Sequence, residues 1–198
     1  MAADRMRIGV ISDTHIPDRV GALHPDILST FKDKGVELII HAGDISSPDV
    51  IRQLEQIAPV QAVQGNRDWW RFNDLPTLKV INIKEVKILV THGHGHFFSY
   101  IWDKFPYWIL GYQFERFVKK FALLNQDFDV VIFGHSHRSE NRWVQSRLYF
   151  NPGSAYDPLE NHSGPSIGLM EIGEEKEISA EIIRLREMKW QGGKWTIR

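Results

Sequence analysis

The sequence predicts an α/β protein of two packed sheets flanked by helices, and three observations carry that reading. The first third alternates short apolar runs with amphipathic helical stretches, the pattern of parallel strands joined by crossover helices. From Leu78 the texture changes to paired runs with alternating faces, which calls for antiparallel pairing. The final third is a succession of short strands with turn residues between them.

Taken in order, Arg7 to Ser12 reads as a buried strand, and Pro25 to Lys34 as a helix with proline in its first turn and Gly35 at its stop. Val36 to His41 is the second strand. Ser47 and Pro48 then supply a cap and a first-turn proline for a helix carrying Val50, Ile51, Leu54 and Ile57 at helical spacing. Val60 to Gln64 makes the third strand, and Leu78 to Ile83 with Val86 to Thr91 a hairpin. A helical stretch from about Pro106 to Leu124 leads to a strand at Asp129 to Phe133. Short strands follow at Asn141 to Gln145, Leu148 to Phe150, Ser166 to Glu171 and Glu177 to Leu185, and Gly192-Gly193 marks a turn in the tail. No internal repeat or low-complexity linker divides residues 1–198, so a single domain is expected.

Bulk properties remove several function classes. A formal charge of -1 and a pI near 6.8 provide no global field for nucleic acid or an anionic membrane, so any attraction for phosphate is local. The absence of cysteine excludes disulfides, thiolate metal sites and a cysteine nucleophile. Met1 to Arg7 is short and charged without the apolar stretch of a signal peptide, which points to a cytoplasmic protein.

Chemistry enters through five pieces, each directly behind a predicted strand: Asp13-Thr14-His15, Gly43-Asp44, Gly65-Asn66-Arg67-Asp68, Thr91-His92-Gly93-His94 and Gly134-His135-Ser136-His137. Alone, Asp-x-His is more often a loop cap and His-x-His a surface pair. Recurring in order at strand ends, where open α/β sheets place their chemistry, they describe one site. If the loop segments are extended, residues i and i+2 share a side, so Asp13 pairs with His15 and His135 with His137. Asp44, Asn66 and His92 add a carboxylate, an amide oxygen and an imidazole. Seven nitrogen and oxygen donors suit two first-row divalent ions better than calcium; manganese is the first choice, with Fe, Zn, Co or Ni as the other candidates. Four positive charges against Asp13, Asp44 and a bridging hydroxide leave the site net positive. Ions about 3.5–4 Å apart can clamp an in-line displacement at phosphorus and bring the pKa of bound water toward about 7. The chemistry that fits is hydrolysis of a small phosphoester by attack of a metal-bridging hydroxide.

The order Asp-x-His, Gly-Asp, Gly-Asn, His-Gly-His, Gly-His-x-His resembles the calcineurin-like metallophosphoesterases, and Asn151-Pro152-Gly153-Ser154 resembles their YfcE-like phosphodiesterase branch. The likeness runs from residue 7 to about 171. It implies a four-layer αββα sandwich, in accord with the independent reading of the strands. It also implies that Asp13, His15 and His137 hold one metal, that Asn66, His92 and His135 hold the other, and that Asp44 bridges them. Phosphomonoesterase and nucleotide pyrophosphatase are neighbouring activities. A non-catalytic protein-binding scaffold, the role of the retromer subunit of this fold, is the alternative of a different class, and the intact donor set argues against it. Arg67 departs from the pattern, since many members have a proton-donating histidine there. Arginine keeps its proton but can pair with a phosphate oxygen, leaving Arg67 as a catalytic candidate for binding and His94 as the first candidate donor.

Other residues have blander assignments. His41 reads as a core or supporting histidine, His24 and His162 as surface residues, and His94 as backing for the site or a contact to substrate, with His96 beside it left without a role. Asp68 reads as a partner for a ligating histidine or a cap for the turn after Asn66. Phe97 to Phe121 holds roughly half of the aromatic residues, with Leu110, Phe114, Phe117, Phe121 and Leu124 at helical spacing. Glu115, Arg116, Lys119 and Lys120 rule out a membrane span there, and core packing or a homodimer is expected. Trp190 and Trp195 are assigned to a tail hairpin over a sheet edge in preference to stacking on bases. No stable nucleic-acid partner is expected.

Overall fold

The computed structural model describes residues 5–93, 113–122, 127–156 and 164–197. In the first sheet β1 (Met6–Ile11), β2 (Leu38–His41) and β3 (Val60–Ala62) run parallel. They are joined through α1 (Asp26–Asp33) and α2 (Pro48–Leu54). The second sheet is built from β4 (Leu78–Ile83), β5 (Val86–Thr91), β6 (Val130–Ile132), β7 (Glu140–Val144) and β8 (Arg147–Asn151), in the order β4-β5-β6-β8-β7. A helix, α3 (Phe114–Ala122), precedes β6. The chain then returns to the first sheet with β9 (Ser166–Ile172) and β10 (Ile178–Arg184), completing the order β10-β9-β1-β2-β3. β4 and β5 pair antiparallel as the expected hairpin, whereas β5, β6 and β8 are parallel.

The alternation of side chains along each strand builds the layers. In β1, Ile8 and Val10 join Ile40, Ile88, Val90, Ile132, Phe150 and Met170 between the sheets. Ile11 lies on the opposite face with Ile27, Phe31, Val50 and Leu54 from the two helices. Gly9 shares that helix face, and a Cβ there would stand 2.8 Å from the Phe31 ring, so its absence lets the ring lie against the strand. On the far side α3 lays Phe114 and Phe121 onto Leu89, Val131, Phe133 and Tyr149 of the second sheet. Helix, sheet, sheet and helix are the four layers expected.

Three local expectations need correction. α2 stops at Leu54, short of Ile57, because Pro59 biases the residue before it away from helix; residues 55–58 form turns instead. His24 is buried, not on the surface. Its Nδ1 accepts the Asp26 N–H at 3.2 Å and its Nε2 faces the Arg186 carbonyl at 3.1 Å, so it satisfies a donor at the start of α1. The tail forms a hairpin of β11 (Met188–Gln191) and β12 (Lys194–Ile197), but it pairs with neither sheet. It packs on the loop before α1: Trp195 Nε1 lies 3.1 and 2.9 Å from the carbonyls of Ala22 and Leu23, and Trp190 occupies the space beside Gly21. Among the described residues no helix is long and apolar enough to cross a membrane.

Candidate metal centre

The C-terminal ends of β1, β2, β3, β5 and β6 open onto the loops that carry the expected donors. These loops are not extended. Asp13, His15, Asp44, His135 and His137 have φ of 54, 50, 55, 68 and 56°, so the paired donors converge through tight left-handed turns. That conformation costs most L-residues about 1–2 kcal/mol. Asp and His enter it more readily than bulky residues, and such strain persists at sites where the surroundings enforce it.

The donors meet in two overlapping sets, Asp13 with His15 and His137, and Asp13 with Asp44 and His92, their donor atoms within 4.8 Å of one another in each set. Asp13 Oδ1 lies 3.2 Å from His137 Nε2 and 3.6 Å from His15 Nε2. Asp44 spans the sets, Oδ2 lying 3.6 Å from His15 Nε2 and Oδ1 3.4 Å from His92 Nε2. Asn66 Oδ1 and His135 Nδ1 are 3.0 Å apart, and the His135 ring centroid is 5.1 Å from that of His92. Five of the expected donors thus meet in the two sets, and Asn66 and His135 stand beside them next to His92. Two glycines show how closely the loops pack. A Cβ at Gly65 would fall 2.1 Å from the Asp44 nitrogen, and one at Gly134 2.8 Å from Asp13 Oδ2.

A shell of hydrogen bonds aims these side chains. Asp13 Oδ2 accepts the His135 N–H at 3.1 Å and lies 2.6 Å from Ser12 Oγ. His92 Nδ1 faces the Ala42 carbonyl at 2.7 Å, which turns Nε2 toward the carboxylates. Among the described residues Asp68 contacts none of the histidines expected to be ligands. Its Oδ1 accepts the N–H groups of Ile45 and Ser46 and its Oδ2 that of Gly65, so one buried carboxylate ties the Asp44 loop to the Asn66 loop. Asn151 donates to the Gly134 carbonyl at 3.0 Å, and Ser154 Oγ to the Asp13 carbonyl at 3.1 Å, so the Asn-Pro-Gly-Ser stretch braces the first and last loops. His41 is a supporting residue, its Nε2 3.3 Å from Thr14 Oγ1; burial holds its pKa down at about 3, so it stays neutral.

Burial opposes ionisation throughout this cluster, yet mutual attraction prevails. Burial would raise Asp13, but His137, His15 and His92 hold it well below the usual carboxylate range. Asp44 is likewise lowered against its burial, chiefly by His92. In return, against a burial term that lowers it, Asp44 and Asp13 push His92 up to about 9, and Asp13 raises His137. Ionised carboxylates thus face imidazoles that retain protons, and an ion bound here would displace those protons. Asp13 Oδ1 is buried, and its neighbours among the described residues are the imidazoles of His137, His15 and His92, so this oxygen faces the volume that the donors line. The donor chemistry fits divalent ions.

Arg67 donates its backbone N–H to Asp44 Oδ1 at 2.9 Å while its side chain is exposed. His94, His96, the aromatic stretch Phe97 to Tyr107 and His162 lie outside the described residues. One aromatic residue at the site was missed in the sequence. Tyr156 packs its ring edge-on to His15 and His137, at centroid distances of 5.4 and 5.9 Å. Trp70, four residues beyond Asn66, is 93% exposed. Tyr156 follows the Asn-Pro-Gly-Ser stretch closely, the one signal that could have found it.

Comparison with known proteins agrees with this geometry. Residues 6–175 match the calcineurin-like phosphoesterase superfamily domain. A probable metallophosphoesterase of Methanothermobacter thermautotrophicus is 36% identical over 179 residues, 90% of this chain and 92% of the relative. A phosphodiesterase of Methanocaldococcus jannaschii is 31% identical over 191 residues, 90% of this chain and 99% of the relative. Among solved structures, vacuolar protein sorting 29 from Cryptosporidium parvum superposes with a TM-score of 0.73 at 21% identity, covering 97% of this chain and 95% of that one. That is a likeness of fold alone. A structure described as a novel archaeal phosphodiesterase gives 0.58 at 26% identity, covering 90% and 100%. With its strand order, its donor loops and its relatives in agreement, the chain belongs to the calcineurin-like phosphoesterase superfamily.

Proposed function

We propose that the protein is a metal-dependent phosphodiesterase acting on a small phosphoester. Asp13, His15 and His137 would hold one divalent ion, and Asn66, His92 and His135 a second, with Asp44 between them. The observation that carries this reading is the meeting of both donor sets at Asp13, whose buried Oδ1 faces His137, His15 and His92. When bound, the ions supply a water of lowered pKa and a positive field for the phosphoryl oxygens. Everything else is the work of the chain. The left-handed turns and their hydrogen bonds hold the donors rigid, and the exposed Arg67 guanidinium offers a planar fork to a phosphate oxygen. An arginine side chain is no general acid, so leaving-group protonation falls to water or to His94. Manganese as resident metal, a cytoplasmic single-domain protein, the absence of a stable nucleic-acid partner and a homodimer through the aromatic segment complete the proposal.

The test is metal analysis combined with hydrolysis of an activated phosphodiester. Metal-dependent turnover supports the enzyme; a chain with neither tight metal nor turnover would be a scaffold of the same fold.

A further inference from the structure

We propose that Tyr156 is a positioning residue that fixes His15 and His137 as donors, and so sets the affinity of one ion site and not the other. The inference rests on the two-ion reading. Ligating histidines are ordinarily oriented by a hydrogen bond to their second ring nitrogen. His92 has this support in the Ala42 carbonyl at 2.7 Å. His15 does not, for its Nδ1 is buried with no hydrogen-bond partner among the described residues. What the His15 ring has instead is the Tyr156 ring at 5.4 Å, inclined at 81°, and the same tyrosine meets His137 at 5.9 Å and 76°.

Such support is needed because the two Nε2 atoms stand 3.2 Å apart, at hydrogen-bond distance, and the rings give that contact up when both nitrogens turn their lone pairs to an ion. Without a wall behind them, either imidazole can then rotate about its side-chain torsions and misaim its nitrogen. Tyr156 is itself held in place. The Ala155 N–H donates to the Ser12 carbonyl at 3.1 Å and Ser154 Oγ to that of Asp13 at 3.1 Å, so the tyrosine backbone is fastened to the loop that carries His15. Since the contact is made by the ring, phenylalanine should replace tyrosine, whereas an aliphatic side chain fills volume without the flat edge.

Calorimetric titration of metal-free protein with Mn²⁺ tests this. Wild type should show two binding events. Tyr156→Leu should weaken one of them about 10- to 100-fold, the usual range for a residue that orients a metal ligand, and leave the other unchanged. Tyr156→Phe should restore both. Tyr156→Met replaces the leucine variant if circular dichroism shows that it does not fold. Equal weakening of both events, no change in the aliphatic variant, or a phenylalanine variant as weak as the leucine one would each overturn the role given to the ring. A wild type that binds no Mn²⁺ would bring down the two-ion reading itself, and this inference with it.

Discussion

Asp44 shows how much a single residue does at this centre. One oxygen faces His15, the other faces His92 and accepts the Arg67 N–H, so the carboxylate is positioned by its neighbours before any ion arrives. Asp44→Asn retains the shape and loses the charge. It should fold like wild type, by circular dichroism, and lose more than the roughly 100-fold in hydrolysis that residues merely supporting a ligand account for. His135→Ala should behave alike. Arg67 makes a different prediction, because general acid catalysis is worth about 100- to 10,000-fold where it operates and arginine cannot supply it. The rate should fall steeply with rising leaving-group pKa, and Arg67→Ala should raise KM more than it lowers kcat. A flat dependence would assign the proton to another residue, His94 first. At this scale the residues that gather at the strand ends were legible in the sequence because each stands directly behind an apolar run. The roles of Asp68 and Tyr156 were not, since both act across loops far apart in the chain, and neither contact leaves a local pattern.

The elements explain why so many donors reach one volume. Five strands end at the same edge, and the sharp turns after β1, β2 and β6 reverse the chain at once, a feature the extended-loop expectation missed. Left-handed φ at Asp and His is not written in residue type as it is at Gly43 or Gly153, so only the glycine-marked turns could be read from sequence. Close loop packing predicts that Gly65→Ala damages the site out of proportion to the fold. Its Cβ would displace the Asp44 backbone, and Mn²⁺ affinity should drop about 10-fold or more, as for other changes that misaim a ligand. Equal metal binding in wild type and variant, by calorimetry, would contradict it. α3 supplies stability: Phe121 is buried against Phe117, Phe133 and Tyr149. Phe121→Ala should cost about 3–5 kcal/mol in denaturant unfolding. Strand and helix order was legible from periodicity, whereas the seat of the tail hairpin was not, because it depends on the space left by Gly21 more than eighty percent of the chain away.

For the whole molecule, the centre is a store of opposed charges that links stability to pH and to metal. His92 is raised from 6.5 to about 9, so in metal-free protein its contribution is fully present below about 6.5 and lost as pH rises to about 9. His137 shifts in the same direction. Asp13 is lowered, so its contribution is present above its ordinary value near 3.8 and lost as the solution is acidified below that. Metal-free protein should therefore lose thermal stability between about pH 6.5 and 9. Because the proton on His92 competes with an ion for Nε2, metal affinity should rise across the same window, with proton release measurable by calorimetry in buffers of different ionisation enthalpy. An affinity independent of pH in that window would contradict the charge pairing described. The central claim, a two-ion centre that hydrolyses phosphodiesters, is tested most directly by adding Mn²⁺ back to chelator-stripped protein while following hydrolysis of an activated phosphodiester. The predicted result is activity that is absent without metal and saturates at two ions per chain. Binding of less than one ion per chain, or hydrolysis that survives chelation, would contradict it.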